Sequence, residues 1–134
     1  MYRIGIVAAV AIAFACVFAA ATAGAQPNPA PAADPVPALL KTPAAVARGK
    51  SIFVGTCAAY CHKMTNIQSD APFLFDCAWL HGGSDQEVFH TISHGVPGTR
   101  MPTFGGAIPD QDIWSIVAYL KSASQCKSGV PCKN

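Results

Sequence analysis

The sequence predicts a small all-α domain wrapped around a bound group. Three observations lead there. Three stretches carry apolar residues at helical spacing between recognisable start and stop signals. No run shows the alternation of a half-buried strand, and no internal repeat is present. The foldable part is only about eighty residues long, a size at which a purely protein core is marginal.

The chain opens with Arg3, an apolar run over residues 4 to 21, and the small residues Ala23, Gly24 and Ala25. This reads as a secretory signal peptide, residues 1 to 25, cut after Ala25. The rival is an uncleaved anchor, because the run nears the roughly 17 to 20 residues that span a bilayer. Cys16 lies inside it and leaves with the signal. Residues 26 to 42 hold five of the eleven prolines and no periodic apolar pattern, so they read as an extended Pro/Ala-rich linker.

The folded domain is expected over residues 43 to 124. Thr42 before Pro43 is an N-cap followed by proline at the first helical position, opening a helix that stops before Cys57. Ser84 and Glu87 have the spacing of a capping box, Val88, Phe89 and Ile92 share a face, and Gly95 is the stop. From Pro109, Asp110 and Asp112 suit a helix N-terminus, and Ile113, Trp114, Ile116, Val117 and Leu120 form a stripe. Residues 125 to 134 form a tail carrying Cys126 and Cys132.

Without the leader, the nine Lys and Arg of the chain fall to eight, against seven Asp and Glu. That balance offers no basic surface for nucleic acid. An exported chain permits disulfides.

The chemistry centres on "GTCAAYCHKM", residues 55 to 64. Covalent haem attachment needs two thiols for the porphyrin vinyl groups and an imidazole beneath the iron, so His62 directly after Cys61 is the informative feature. The loop of Ala58, Ala59 and Tyr60 is one residue longer than in C-x-x-C-H. Two other readings compete: a disulfide that happens to lie near a histidine, and a copper or dithiol protein using Cys57 and Cys61, since soft sulfur suits copper. Against copper stands the lack of strands. Met101 precedes Pro102 in a Gly/Pro-rich loop before the last helix. A lone Met is more often core filler, but no periodic pattern explains burial here, which favours a positional role.

Residues 43 to 122 resemble the class I c-type cytochromes: Gly49 and Phe53 in the first helix, the Cys57/Cys61/His62 site, "APFL", "WLHGGSDQEVFHTISHGVPG", "RMP" and the closing "DIWSIVAYLKS". The resemblance implies one covalently attached haem c, with His62 as proximal and Met101 as distal iron ligand. It implies that Cys57 and Cys61 attach the haem, and that the Pro72 carbonyl accepts a hydrogen bond from the other nitrogen of His62. Trp79 and Arg100 are expected beside the cofactor, with core packing the alternative for Trp79. Gly49 and Phe53 would meet Trp114 and Tyr119 where the terminal helices cross. His81, His90 and His94 compete as sixth ligands, but the latter two suit a helix surface and its C-terminal turn.

The departures are the extra residue between the cysteines and Lys63, where many relatives carry glycine. Of the five cysteines left after processing, Cys57 and Cys61 are expected to hold haem, Cys77 to be buried and reduced, and Cys126 to pair with Cys132. In the alternative, Cys61 alone holds haem and Cys57 pairs with Cys77.

The expected function is one-electron transfer in the periplasm, not catalysis, because both axial positions are filled. The implied partners are a dehydrogenase, such as a quinoprotein, or a reductase as donor, and a terminal oxidase as acceptor; the membrane is involved only if the leader stays uncut. The alternative is a haem enzyme or ligand sensor in which Met101 dissociates.

Overall fold

The computed structural model describes residues 33–126. Signal-peptide, anchor and Cys132 readings lie outside them, as do residues 26 to 32 of the proposed linker. The described residues form four α-helices and one π-helical turn: α1 (Val36–Leu39), α2 (Pro43–Ile52), the π-turn (Phe53–Ala58), α3 (Asp85–His94) and α4 (Asp110–Ala123). Among the described residues there is no named strand, and an isolated bridge joins Gly105 to Ile108. No described helix is long and apolar enough to cross a membrane.

The first difference from the sequence reading is α1. Residues 36 to 39 were assigned to an extended linker, yet Pro35 and Pro37 stand at the start of a helical turn, where proline costs nothing. Val36 is fully buried in the main core cluster.

Helices α2 and α4 form the principal crossing. It is close because Gly49 has no side chain: a Cβ there would overlap the Ser115 carbonyl and crowd the Ile116 amide. Backbone of Ser115 and Ile116 therefore faces Gly49, while Trp114 stacks on Phe89 of α3 with ring centroids 4.1 Å apart. Phe53 does meet Tyr119, at 5.6 Å, and Phe75 closes the triangle at 5.7 Å from Phe53 and 6.0 Å from Tyr119. Around these rings lie Ile113, Ile116, Val117 and Leu120 of α4 with Val88 and Ile92 of α3. The apolar stripe of α4 thus serves both the crossing and the second helix packed on it.

Helix α3 begins on the expected capping box. Ser84 accepts from the Glu87 amide and the Glu87 carboxylate accepts from the Ser84 amide at 2.9 Å. It ends at Gly95, whose φ of 71° is costly for a residue with a Cβ.

Candidate functional site

The attachment motif sits where α2 changes pitch. The first helix does not stop before Cys57, as the sequence pattern suggested, but widens at Phe53 into a π-turn that includes Cys57 and ends at Ala58. The wide spacing continues past it: the His62 amide donates to the Cys57 carbonyl at 3.0 Å, an i to i+5 bond, and the Cys61 amide reaches the same oxygen at 3.1 Å. An α-helix advances about 100° per residue, so one added residue would swing a following side chain far around the axis. A π-turn spreads an extra residue over a wider loop, and such turns recur at functional sites. Here the extra residue between the cysteines coincides with that turn, and Cys57, Cys61 and His62 face one cavity.

That cavity has a volume of about 430 Å³ and a mainly apolar lining, within the range of cofactor clefts. The floor is Phe53, Val88, Ile92, Ile116 and Leu120 from the helical core. The loop that carries Met101 forms another part of the lining, and this loop is laced to the end of α3. The Val96 amide donates to the Met101 carbonyl at 3.1 Å, the Met101 amide to Thr99 Oγ1 at 3.1 Å, and Thr99 Oγ1 to the Val96 carbonyl at 2.8 Å. Further on, the Phe104 and Gly105 amides donate to the carbonyls of Ile92 and Ser93 at 3.2 and 2.9 Å. Met101 is therefore held by backbone bonds at a fixed place on the cavity wall. Gly95 permits this approach, since a Cβ there would run into the Met101 and Pro102 backbone.

All seven residues named from the sequence line this cavity: Cys57, Cys61, His62, Pro72, Trp79, Arg100 and Met101. His62 is 8% exposed and its Nδ1 lies 2.9 Å from the Pro72 carbonyl oxygen. A carbonyl only accepts, so Nδ1 carries the proton and Nε2 presents its lone pair. Burial pushes the Cys57 thiol up to about 11, with the neighbouring Cys61 adding to the effect. Arg100 stands at the mouth, highly exposed and paired with an equally open Asp70 at 2.5 Å, an arrangement that contributes little to stability. His81 also lines the cavity. His90 and His94 are exposed and stack on each other at 4.0 Å on the outer side of α3.

Two parts of the site were not foreseen. Lys121, at the end of α4, donates to the Gly83 carbonyl, pairs with Asp85 at 2.9 Å and lies 5.6 Å over the Trp79 ring. Helical spacing alone marks Lys121 only as a cation near a C-terminus. The cysteines also differ from expectation: the sulfur atoms of Cys77 and Cys126 meet, with Cα atoms 5.8 Å apart. Cys77 is neither an isolated buried thiol nor the partner of Cys57, which stays free beside Cys61.

The donor set fits a covalently attached haem on its chemistry. Two thiols, an imidazole with its tautomer fixed and a thioether converge on one apolar cleft. Cys57 and Cys61 would hold the macrocycle, and His62 and Met101 would supply ligands to its iron.

Comparison with known proteins supports a domain that carries haem c. Residues 44–120 match the family described as cytochrome C oxidase, cbb3-type, subunit III. A cbb3-type cytochrome c oxidase subunit FixP of Sinorhizobium medicae is 36% identical over 93 residues, covering 63% of this chain and 32% of that protein. A CcoP subunit of Rubrivivax gelatinosus is 34% identical over 92 residues, covering 68% of this chain and 30% of its own length. Cytochrome c6 of Diacronema lutheri is 25% identical over 84 residues, covering 58% of this chain and 94% of that protein. The chain thus spans about a third of the length of the oxidase subunits it matches. No solved structure matches. With the family match running from α2 to α4 and enclosing the whole Cys57-to-Met101 site, the chain belongs to the cbb3-type subunit III family of c-type cytochrome domains, whose cofactor is covalently attached haem c.

Proposed function

We propose that the chain is a periplasmic one-electron carrier that receives electrons from a dehydrogenase or reductase and passes them towards a terminal oxidase. The observation that carries this is the convergence of Cys57, Cys61, His62 and Met101 on one apolar cavity, with both candidate ligands held by backbone hydrogen bonds. The haem, when bound, supplies a reversible ferric/ferrous couple. The protein's part is to keep that couple nearly unchanged in geometry. Pro72 fixes the His62 ring, the Val96 and Thr99 bonds fix the Met101 backbone, and the core side chains exclude water from the inner face.

With His62 and Met101 both bound to the iron no position would remain for a substrate, which separates a carrier from the haem enzyme or sensor. The family and the size of the apolar cleft go against the copper or dithiol reading. The similarity to oxidase subunits supports a terminal oxidase as acceptor. The leader of residues 1 to 25 supports export, and the domain meets the membrane only if that leader stays uncut.

The test is expression with export in a host that has haem-attachment machinery. The expected product carries haem that resists acid-acetone extraction, shows the weak red charge-transfer band of methionine-ligated ferric haem, and binds cyanide slowly. Absence of haem ends the proposal; fast, tight cyanide binding by the oxidised protein as isolated moves it to a ligand-binding haem protein.

A further inference from the structure

The wall of the cavity between the attachment motif and α3 is a long connection without helix or strand, yet it supplies Asp70, Ala71, Pro72, Leu74, Ala78, Trp79 and Leu80 to the lining. Such a stretch needs something to hold it against a large cofactor. Its own bonds are local: Ser69 Oγ to the Ala71 carbonyl at 2.7 Å, and the Ala78 amide to Asp76 Oδ1 at 3.0 Å. Asp70 is also paired with Arg100 and the Pro72 carbonyl with His62, and the remaining longer-range attachments run to the end of α4 and the residues after it. The Gln125 amide donates to the Phe75 carbonyl at 2.8 Å. Cys77 Sγ meets Cys126 Sγ and lies 3.5 Å from Ser124 Oγ, which is itself 2.6 Å from Cys126 Sγ. Lys121 grips the other end of the wall through Gly83, Asp85 and the Trp79 ring.

Cys77 is the one non-glycine residue among those described that has a positive φ, 69°. A side chain in that region is unfavourable unless its surroundings over-determine it. The orientation aims its sulfur at Cys126, and the Cα separation of 5.8 Å is where disulfides are commonest.

We infer that Cys77 and Cys126 form a disulfide that clamps the cavity wall to the end of α4 and thereby positions the Pro72 carbonyl, five residues away, beneath His62. In forming it, two thiols lose two protons and two electrons and one S–S bond is made. The electrons reduce the disulfide of an exported thiol oxidase to two thiols, through a mixed disulfide. The cross-link stands independently of iron ligation; its positioning role rests on the haem reading.

Non-reducing peptide mapping of the exported holoprotein by mass spectrometry tests the bond. A peptide pair joining Cys77 to Cys126 is the expected result. Cys126 joined to Cys132, Cys77 joined to Cys132, or an alkylatable Cys77 would overturn it. The same map shows whether the peptide with Cys57 and Cys61 carries haem, so failure of the cofactor reading is seen separately. Hydrogen exchange tests the clamp: reducing the folded protein, or Cys126→Ser, is expected to speed amide exchange over residues 72 to 80 by about tenfold or more, as local opening is released. The haem midpoint potential should shift with it. Unchanged exchange and potential after verified loss of the bond would reduce Cys77 and Cys126 to a mere tail staple. Reduction of the purified protein keeps the test open if the variant does not mature.

Discussion

His62 Nδ1 lies 2.9 Å from the Pro72 carbonyl oxygen, a bond that joins the candidate proximal ligand to the least regular part of the cavity wall. Donation from Nδ1 makes the imidazole a better donor at Nε2, which favours the ferric state. Pro72→Ala keeps the carbonyl but frees the backbone that aims it. The expected outcome is a midpoint potential raised by some tens of millivolts with haem still attached, measured by redox titration. An unchanged potential would mean that the wall holds the carbonyl without help from the proline ring.

Met101 is held on the cavity wall by the Val96 and Thr99 bonds. Met101→Leu preserves bulk and removes the sulfur. Expected are loss of the red charge-transfer band, a lower potential, since methionine ligation raises it, and fast cyanide binding. Retention of the band would assign the sixth position to another residue, with His81 the first to examine because it also lines the cavity.

The π-turn makes a prediction about the stretched motif. Cys57 and Cys61 both face the cavity, so both vinyl groups are expected to be consumed in the wild type, giving the haemochrome band of a two-thioether haem. Cys57→Ala and Cys61→Ala should each leave one vinyl and shift the band towards the red. Deleting Ala59 restores C-x-x-C-H and should keep both bonds, the turn relaxing to α-helix. A wild-type spectrum with one vinyl remaining would show that Cys57 takes no part.

Gly49 sets the distance between α2 and α4. Gly49→Ala puts a methyl group into the Ser115 carbonyl, where the contact is backbone and cannot rotate away. Overpacking of this kind costs about 1 to 3 kcal/mol, and more where backbone must move. Denaturant unfolding of the holoprotein should show a loss at or above the top of that range. Gly55→Ala is the control, because a Cβ there meets nothing within 4 Å; it should be neutral or slightly stabilising.

Local chemistry was legible in the chain and non-local chemistry was not. The Ser84 and Glu87 capping box, the Gly95 stop and the α4 stripe were readable because each depends on residues within one or two turns. Helix α1 was hidden by Pro35 and Pro37, which imitate a linker in composition while standing at helix-start positions. The π-turn was hidden because apolar spacing does not distinguish it from a helix end. The meeting of Cys77 and Cys126, 49 residues apart, could not be chosen among the possible pairings, since spacing does not encode connectivity. The adjacency of Cys61 and His62 marked the attachment motif, the resemblance supplied the other candidate residues, and the fold brings all of them to one cavity. The route by which the wall is held, from Lys121 to Gly83 and Asp85, needed the fold.

The start of α3 carries a pH-dependent contribution whose sign follows from its hydrogen bonds. The Glu87 carboxylate accepts from Ser84 Oγ at 2.6 Å and from the Ser84 amide at 2.9 Å. These bonds, the hydroxyl's first and the amide's second, hold its carboxyl below the usual range. A carboxyl with a depressed folded pKa binds its proton more readily in the unfolded chain. Its stabilisation is therefore fully present above the unfolded value of about 4.3 and is lost as the pH falls through the lower folded one. Asp112, lowered by its hydrogen bonds from Arg48 at 3.1 and 2.8 Å, acts in the same direction. Ser84→Ala removes the hydroxyl cap and should cost about 1 kcal/mol at neutral pH. Thermal unfolding of the two proteins at pH 7 and at pH 3 checks the assignment: the gap between them should narrow towards acid pH, as Glu87 takes up its proton. A gap of constant size would mean that Ser84 acts only as a neutral cap and that the carboxylate is not part of it.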